Sequence, residues 1–158
     1  MSKHVTIYTD GSSRGNPGPG GYGVILMTEK KSKELSQGYK LTTNNRMELM
    51  AVIAGLKALK KEGLAVTIYS DSQYVVKAVT EGWLNNWIKT QFKGGKKNQD
   101  LWLEFHAIAQ KFNLKFVWVK GHASNPYNNR CDELATTAAD GQHHELLSDE
   151  GYEAIKQA

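Results

Sequence analysis

Ile7-Tyr8-Thr9-Asp10-Gly11-Ser12 has an echo further along the chain, Ile68-Tyr69-Ser70-Asp71-Ser72. The two stretches share one phase, and each ends in an aspartate directly before a turn. His4–Asp10 alternates Val5, Ile7 and Thr9 against Thr6, Tyr8 and Asp10, which is the period of a strand. Ala65–Ser70 is a second strand of the same kind. If the two lie parallel and adjacent, Asp10 and Asp71 stand side by side at their C-terminal ends. Open α/β sheets bind ligands there. The plainer alternative is two aspartates capping turns. A matched pair in one phase favours a shared site over two independent caps.

Outward from this pair, Gly11–Gly21 is a loop rich in Gly, Pro, Ser and Asn. Tyr22–Met27 and Lys33–Leu41 are strand-like, and the short link at Lys30-Lys31 predicts a hairpin. Asn44–Lys61 follows capping residues and stops before Gly63, so a helix is expected. It is apolar on most faces from Met47 to Leu59 and should be largely buried. Ser72–Glu81 suggests a short helix, Gly82–Asn98 an irregular basic segment, and Gln99–Phe112 another helix. Lys115–Val119 is a strand, Lys120–Asn128 a polar loop, and Asn129–Ala139 a helix. From Asp140 a frayed tail with at most one weak helical turn is expected.

The order β-β-β-α-β-α-α-β-α predicts an α/β fold. Strands joined by short loops pair antiparallel, and strands reached through helices lie parallel by right-handed crossover. The expectation is a five-stranded mixed sheet, three antiparallel strands then two parallel, flanked by helices.

The chain has 158 residues, enough for one domain. No run approaches 18 apolar residues, and the N-terminus shows no signal-peptide core. Cys131 is the single cysteine, which excludes an internal disulfide and a multi-cysteine metal site. These features predict a cytoplasmic protein. Residues 1–131 carry 19 Lys/Arg and 9 Asp/Glu (+10), whereas 132–158 carry Lys156 and seven acids (−6). A basic body with an acidic tail suits an anionic partner, nucleic acid first.

Two further acids stand out. Glu48 lies in the first turns of an apolar helix, between Met47 and Leu49. A lone carboxylate buried there is costly without a cation or a proton; a favourable charge near a helix N-terminus is the simpler alternative. Asp132 falls in the first turn of the last helix, where that alternative is stronger. Four converging acids would repel one another unless protonated or bound to cations. Oxygen-only donors suit Mg²⁺ or Mn²⁺. Two such ions roughly 3.5–4 Å apart form a clamp for phosphoryl displacement.

Over about residues 4–140 the chain resembles the type 1 ribonuclease H family, bacterial branch. The motifs are Tyr8-Thr9-Asp10-Gly11-Ser12, Gly15–Gly23, Thr42-Thr43-Asn44-Asn45-Arg46-Met47-Glu48-Leu49, Ser70-Asp71-Ser72-Gln73-Tyr74, and Trp118–Ala123 followed by Asn128–Asp132. The resemblance implies a catalytic domain at 1–140 with an acidic tail at 141–158. It implies an endonuclease that cuts the RNA strand of RNA–DNA hybrids and leaves 5′-phosphate and 3′-hydroxyl ends. Asp10, Glu48, Asp71 and Asp132 match the family's four acids and would hold two Mg²⁺ ions, with Mn²⁺ able to substitute. His122 matches a loop histidine that moves protons or helps product leave; taken alone, it is a solvated loop residue. No protein partner is implied, so a monomer is expected.

Hybrids are read at the wide minor groove, where 2′-hydroxyls mark the RNA strand. By the same resemblance Asn16, Asn44, Asn45 and Gln73 are candidates for that groove, Thr43 for a DNA phosphate, and Asn128 for a further contact. Turn and cap duty is the alternative for each. Trp83–Lys97 interleaves aromatics with Lys89, Lys93, Lys96 and Lys97 and holds no acid, which suits a surface that tracks a nucleic-acid backbone. Trp87 and Phe92 are candidate contacts in it. The alternative is a loop whose aromatics pack into the core, Trp83 in particular. Ile88, Thr90 and Gln91 stand where the family pattern has more positive charge, and Phe92 stands where it has Trp, so a weaker grip is expected.

Gly18-Pro19-Gly20-Gly21-Tyr22-Gly23 fits the dinucleotide fingerprint only in form, because a strand and not a helix follows. Two other classes compete. A non-catalytic binding domain would have lost one of the four acids, and none is lost. A recombinase-type DNA cutter would need further DNA-binding domains, and 158 residues leave no room for them.

Overall fold

A computed structural model describes residues 4–94, 97–120, 125–141 and 145–157. Strands β1 (His4–Ser13), β2 (Gly18–Met27) and β3 (Ser32–Thr42) form an antiparallel meander. Helix α1 (Asn44–Lys57) leads to β4 (Ala65–Ser70), which pairs parallel with β1. Then come α2 (Gln73–Thr80), α3 (Trp83–Lys89), α4 (Gln99–Ala109), β5 (Asn113–Trp118), α5 (Pro126–Ala139) and α6 (Glu150–Gln157). The sheet order is β3-β2-β1-β4-β5, the mixed five-stranded α/β sheet that the connection lengths imply. Ile7 pairs with Ile68 and Tyr8 with Tyr69, the same phase that the two echoing stretches carry.

Alternation sorts the strand residues onto two faces. Ile7, Val24 and Ile68 are fully buried against α1, with Leu49, Val52 and Leu56 above them and Trp102 and Phe105 of α4 beyond. The opposite face of β1 and β2 receives α5. It comes close because β2 is glycine-rich there: a Cβ on Gly21 would stand 2.6 Å from the Ala135 carbonyl oxygen, and one on Gly23 would overlap that of Cys131.

The loop expected over Gly11–Gly21 narrows to residues 14–17, because β1 runs on to Ser13 and β2 begins at Gly18, and the helix expected from Asn129 begins at Pro126. Three other segments differ from expectation. The helix expected to run to Lys61 ends at Lys57, where the Ala58 amide closes onto the Ala54 and Leu56 carbonyls. Part of the segment expected to be irregular forms α3, which follows Gly82 in the left-handed region (φ 76°) and buries Leu84. The tail is not frayed over 145–157. Leu147 bridges to Tyr39 of β3, and Asp149 is buried with Arg46 before α6 begins. An internal cation anchors a segment that periodicity alone marks as weak. Among the described residues no helix is long and apolar enough to cross a membrane.

Candidate active site

The C-terminal ends of β1 and β4 carry Asp10 and Asp71, and α1 brings Glu48 over them. One oxygen of each lies within 4.8 Å of one oxygen of the others. Each is placed by local structure. The Gly11 amide donates to Asp10 Oδ1 at 2.9 Å. Asp71 follows β4; the Ser72 amide donates to Ser70 Oγ at 3.0 Å, and the Trp118 indole donates to the Asp71 carbonyl at 3.2 Å. Glu48 reaches the cluster because Gly11 has no side chain to hold α1 away. Asp132, on α5, comes near enough to Asp10 for its charge to act on that carboxyl, but the group whose oxygens lie within 4.8 Å of one another holds Asp10, Glu48 and Asp71 and not Asp132.

The electrostatics follow from this crowding. Burial, and then the charges of Asp71 and Asp132, push Asp10 up to about 9, against a smaller opposing effect of the Gly11 amide. Burial, and then Asp10 and Asp71, push Glu48 well above the ordinary carboxylate range. Without a cation the cluster therefore holds protons at neutral pH. Glu48 Oε1 and Asp71 Oδ1 are buried and meet no hydrogen-bond donor. Unpartnered anionic oxygens converging with a third carboxylate are what a hard divalent cation requires, so these residues fit Mg²⁺ or Mn²⁺.

The other candidate residues divide. Asn16 is exposed, and its Oδ1 accepts from the Asn44 amide at 3.1 Å, so it braces the start of α1. Thr43 is the N-cap of α1, accepting from the Arg46 amide at 3.3 Å. Asn45 and Gln73 are exposed in the first turns of α1 and α2, and Asn44, the first residue of α1, is half-buried. Asn128 is buried rather than presented at the surface; its Oδ1 has no partner, and it lies one helical turn from Asp132. Lys89, Lys93 and Lys97 are exposed. His122, Lys96 and the tail pair His143-His144 lie outside the described residues.

The aromatics of 83–97 reverse their expected roles. Phe92 is buried in the core, its ring 6.4 Å from that of Trp87, so it packs rather than offering a stacking face. Trp87 is half-buried against Tyr74 and Trp102. Trp83, expected inside, is 41% exposed. Phe92 has a left-handed backbone (φ 59°), and its amide donates to the Trp87 carbonyl at 2.7 Å, which ties it to α3.

Sequence reasoning missed Arg46. It is fully buried, donating to Asp149 Oδ2 at 2.8 Å and Oδ1 at 3.0 Å, to Asp100 at 2.7 and 2.9 Å, and to Asn98 Oδ1 at 3.3 Å. The signal was present: an arginine among apolar neighbours needs acids, and the chain holds an unassigned acidic tail.

A profile of the RNase H family matches residues 2–140. Ribonuclease H of Salmonella paratyphi C is 52% identical over 158 residues, covering 98% of this chain and 99% of its own. The fold is similar to that of LC9-RNase H1, described as a type 1 RNase H with the type 2 active-site motif (TM-score 0.82, 31% identity, 100% of this chain and 82% of that one). It is also similar to LC11-RNase H1 in complex with RNA/DNA hybrid (TM-score 0.62, 28% identity, 86% and 96%). A family match that spans the clustered carboxylates, with half-identity along nearly the whole chain, leads to one conclusion: the chain belongs to the ribonuclease H family.

Proposed function

We propose that this protein is an endonuclease that hydrolyses the RNA strand of RNA–DNA hybrids by a two-metal-ion mechanism, leaving 5′-phosphate and 3′-hydroxyl ends. The carrying observation is the buried cluster of Asp10, Glu48 and Asp71 with two unpartnered oxygens, beside Asp132. Family membership supports the substrate class.

In this reading the four acids hold two Mg²⁺ ions, and Mn²⁺ is an acceptable substitute. When bound, the ions supply Lewis acidity, activating water for attack on the phosphodiester and neutralising charge on the departing 3′ oxygen. Asp10, central to the cluster, gives up its proton to admit them. His122 carries protons to or from the reacting oxygens, a task suited to imidazole. Asn16, Asn44, Asn45 and Gln73 offer amides that both donate and accept at the hybrid's minor groove. Thr43 serves a DNA phosphate and Asn128 supports the site from α5. Lys89, Lys93, Lys96 and Lys97 grip the backbone, with Trp87 beneath them. We assign catalysis to residues 1–140 with the tail at 141–158 as an accessory. We take the protein as a cytoplasmic monomer needing no protein partner.

The test uses 5′-labelled RNA offered as RNA–DNA hybrid, as duplex RNA and as single strand, each with Mg²⁺ or EDTA. Cutting of the hybrid alone, and only with Mg²⁺, is expected. Equal cleavage of free RNA, or full activity in EDTA, overturns the proposal.

A further inference from the structure

Three tyrosine rings form a ladder on the sheet face that receives α5. Tyr8 and Tyr69 stack with centroids 4.6 Å apart and planes 13° from parallel. Tyr127 leans on the other side of Tyr8 at 5.0 Å and 33°. Each ring belongs to an element that carries one acid of the site. Tyr8 precedes Asp10 by two residues on β1, Tyr69 lies on β4 two residues before Asp71, which directly follows that strand, and Tyr127 shares α5 with Asp132.

The acids are not held equally well. Asp10 and Asp71 are spaced by the backbone ladder between β1 and β4. Glu48 is set by the close approach of α1 to Gly11. Asp132 depends on the seating of a helix: the Cys131 and Ala135 carbonyls of α5 close on Gly23 and Gly21 of β2, and the start of α5 rests on Tyr8 of β1. Its distance from Asp10 depends on how α5 seats, and three contacts of that seat converge on Tyr8. Tyr127 packs on the ring, the Asn125 side chain approaches the phenol, and Cys131 Sγ donates to the Tyr8 carbonyl at 3.3 Å. Asn125 is also the N-cap of α5, accepting from the Tyr127 and Asn128 amides. Tyr69 stacks nearly flat on the Tyr8 ring and so restricts its rotation.

We propose that the Tyr69–Tyr8–Tyr127 ladder is a positioning device that sets how far Asp132 stands from the Asp10–Glu48–Asp71 cluster, and hence how tightly the second of two divalent cations is held. The inference rests on the metal-binding reading above. The tyrosines are positioning residues and touch neither cation nor substrate.

Calorimetric titration of metal-free protein with Mn²⁺ tests this without any need for turnover. Wild type should show two binding events. In Tyr69→Leu and Tyr127→Ala the weaker event should lose about two- to tenfold in affinity, the range expected for one aromatic pair, while the tighter event stays unchanged. Tyr127→Phe, which keeps the ring, should restore it. Tyr127 is 41% exposed, so its variants fold even if Tyr69→Leu does not. Melting curves run in parallel separate seating from general damage: a fall in melting temperature with both events intact marks the ladder as stabilising only and overturns the inference. A wild type that takes up no divalent cation removes the metal reading and this inference together. A wild type that binds two, with unchanged variants, removes the inference alone.

Discussion

Gly11 and Glu48 touch backbone to backbone. A Cβ on Gly11 would overlap the Glu48 amide nitrogen and stand 2.9 Å from its Cα. The contact lets α1 cross the end of β1 closely enough for a buried helix carboxylate to reach the strand aspartates. Gly11→Ala should therefore push α1 outward and damage the site and the fold together. Overpacking of this kind costs about 1–3 kcal/mol, or on the order of 3–10 °C in melting temperature for a domain of this size. Hybrid cleavage should fall further than stability alone explains. An alanine variant with wild-type activity and melting would show that α1 has slack here.

Asp10→Asn should abolish cleavage yet leave the metal-free protein as stable as wild type, or more so. The reason lies in the sign of the linkage. Asp10 is raised to about 9 in the fold, mainly by burial and then by Asp71 and Asp132. Unfolded, it titrates in the ordinary carboxylate range. Between those values the folded state holds a proton that the unfolded state has released, so stability falls as pH rises. The decline begins at the ordinary range and is complete once pH passes about 9. Melting of metal-free wild type from pH 5 to 9 should show this fall. Asp10→Asn should flatten it, and so should saturating Mg²⁺ in wild type. A marked loss of stability in metal-free Asp10→Asn would contradict a self-repelling cluster.

Asp10 and Asp71 were legible in the chain because strand phase carries register: residues alike in phase at the ends of parallel neighbours must lie side by side. Glu48 was legible as a charge in an apolar helix. Arg46 satisfied the same criterion two residues earlier and went unassigned, since its partners Asp100 and Asp149 are distant in sequence and one lies in a stretch without periodicity. Phe92 and Trp83 exchanged roles for a similar reason. Which ring of an aromatic-rich segment turns inward depends on local backbone signs, and composition does not carry them.

Arg46→Met should destabilise strongly. It leaves Asp149 buried without its cation and Asp100 without its bidentate partner. Breaking a buried pair from one side costs about 3–5 kcal/mol, on the order of 10 °C in melting temperature. Arg46 also holds Asp100 below the usual carboxylate range. That stabilisation is present above the ordinary range and is lost as pH falls through the lowered folded value. Part of the acid sensitivity should therefore vanish in the variant. A melting temperature within a few degrees of wild type would mean that the tail and α4 rearrange to solvate the acids.

His122→Ala should slow hybrid cleavage without abolishing it. General acid–base assistance is typically worth about 10²- to 10⁴-fold, whereas Asp10→Asn removes the metal platform. Single-turnover rates at saturating Mg²⁺ make the comparison. An unchanged rate would make His122 an ordinary solvated loop residue.

The last prediction concerns the lysines of residues 89–97. Lys89 closes α3, and Lys93 and Lys97 are exposed, while Phe92 and Trp87 anchor the segment from below. With the rings turned inward, charge is what these residues offer to a nucleic acid. Replacing Lys89, Lys93, Lys96 and Lys97 together by Ala should raise KM and leave kcat nearly intact, because the carboxylates are untouched and the lost binding is shared by ground and transition states. Each phosphate contact removed should also flatten the log–log salt dependence of hybrid binding by roughly 0.7–0.9. Hybrid binding at several salt concentrations, for wild type and the quadruple variant in EDTA, separates the effect from chemistry. Melting temperature should hardly move, since exposed lysines contribute little to the core. Parallel salt plots would show that this segment does not grip the backbone, and the grip would then have to come from other exposed lysines, Lys77 and Lys120 first.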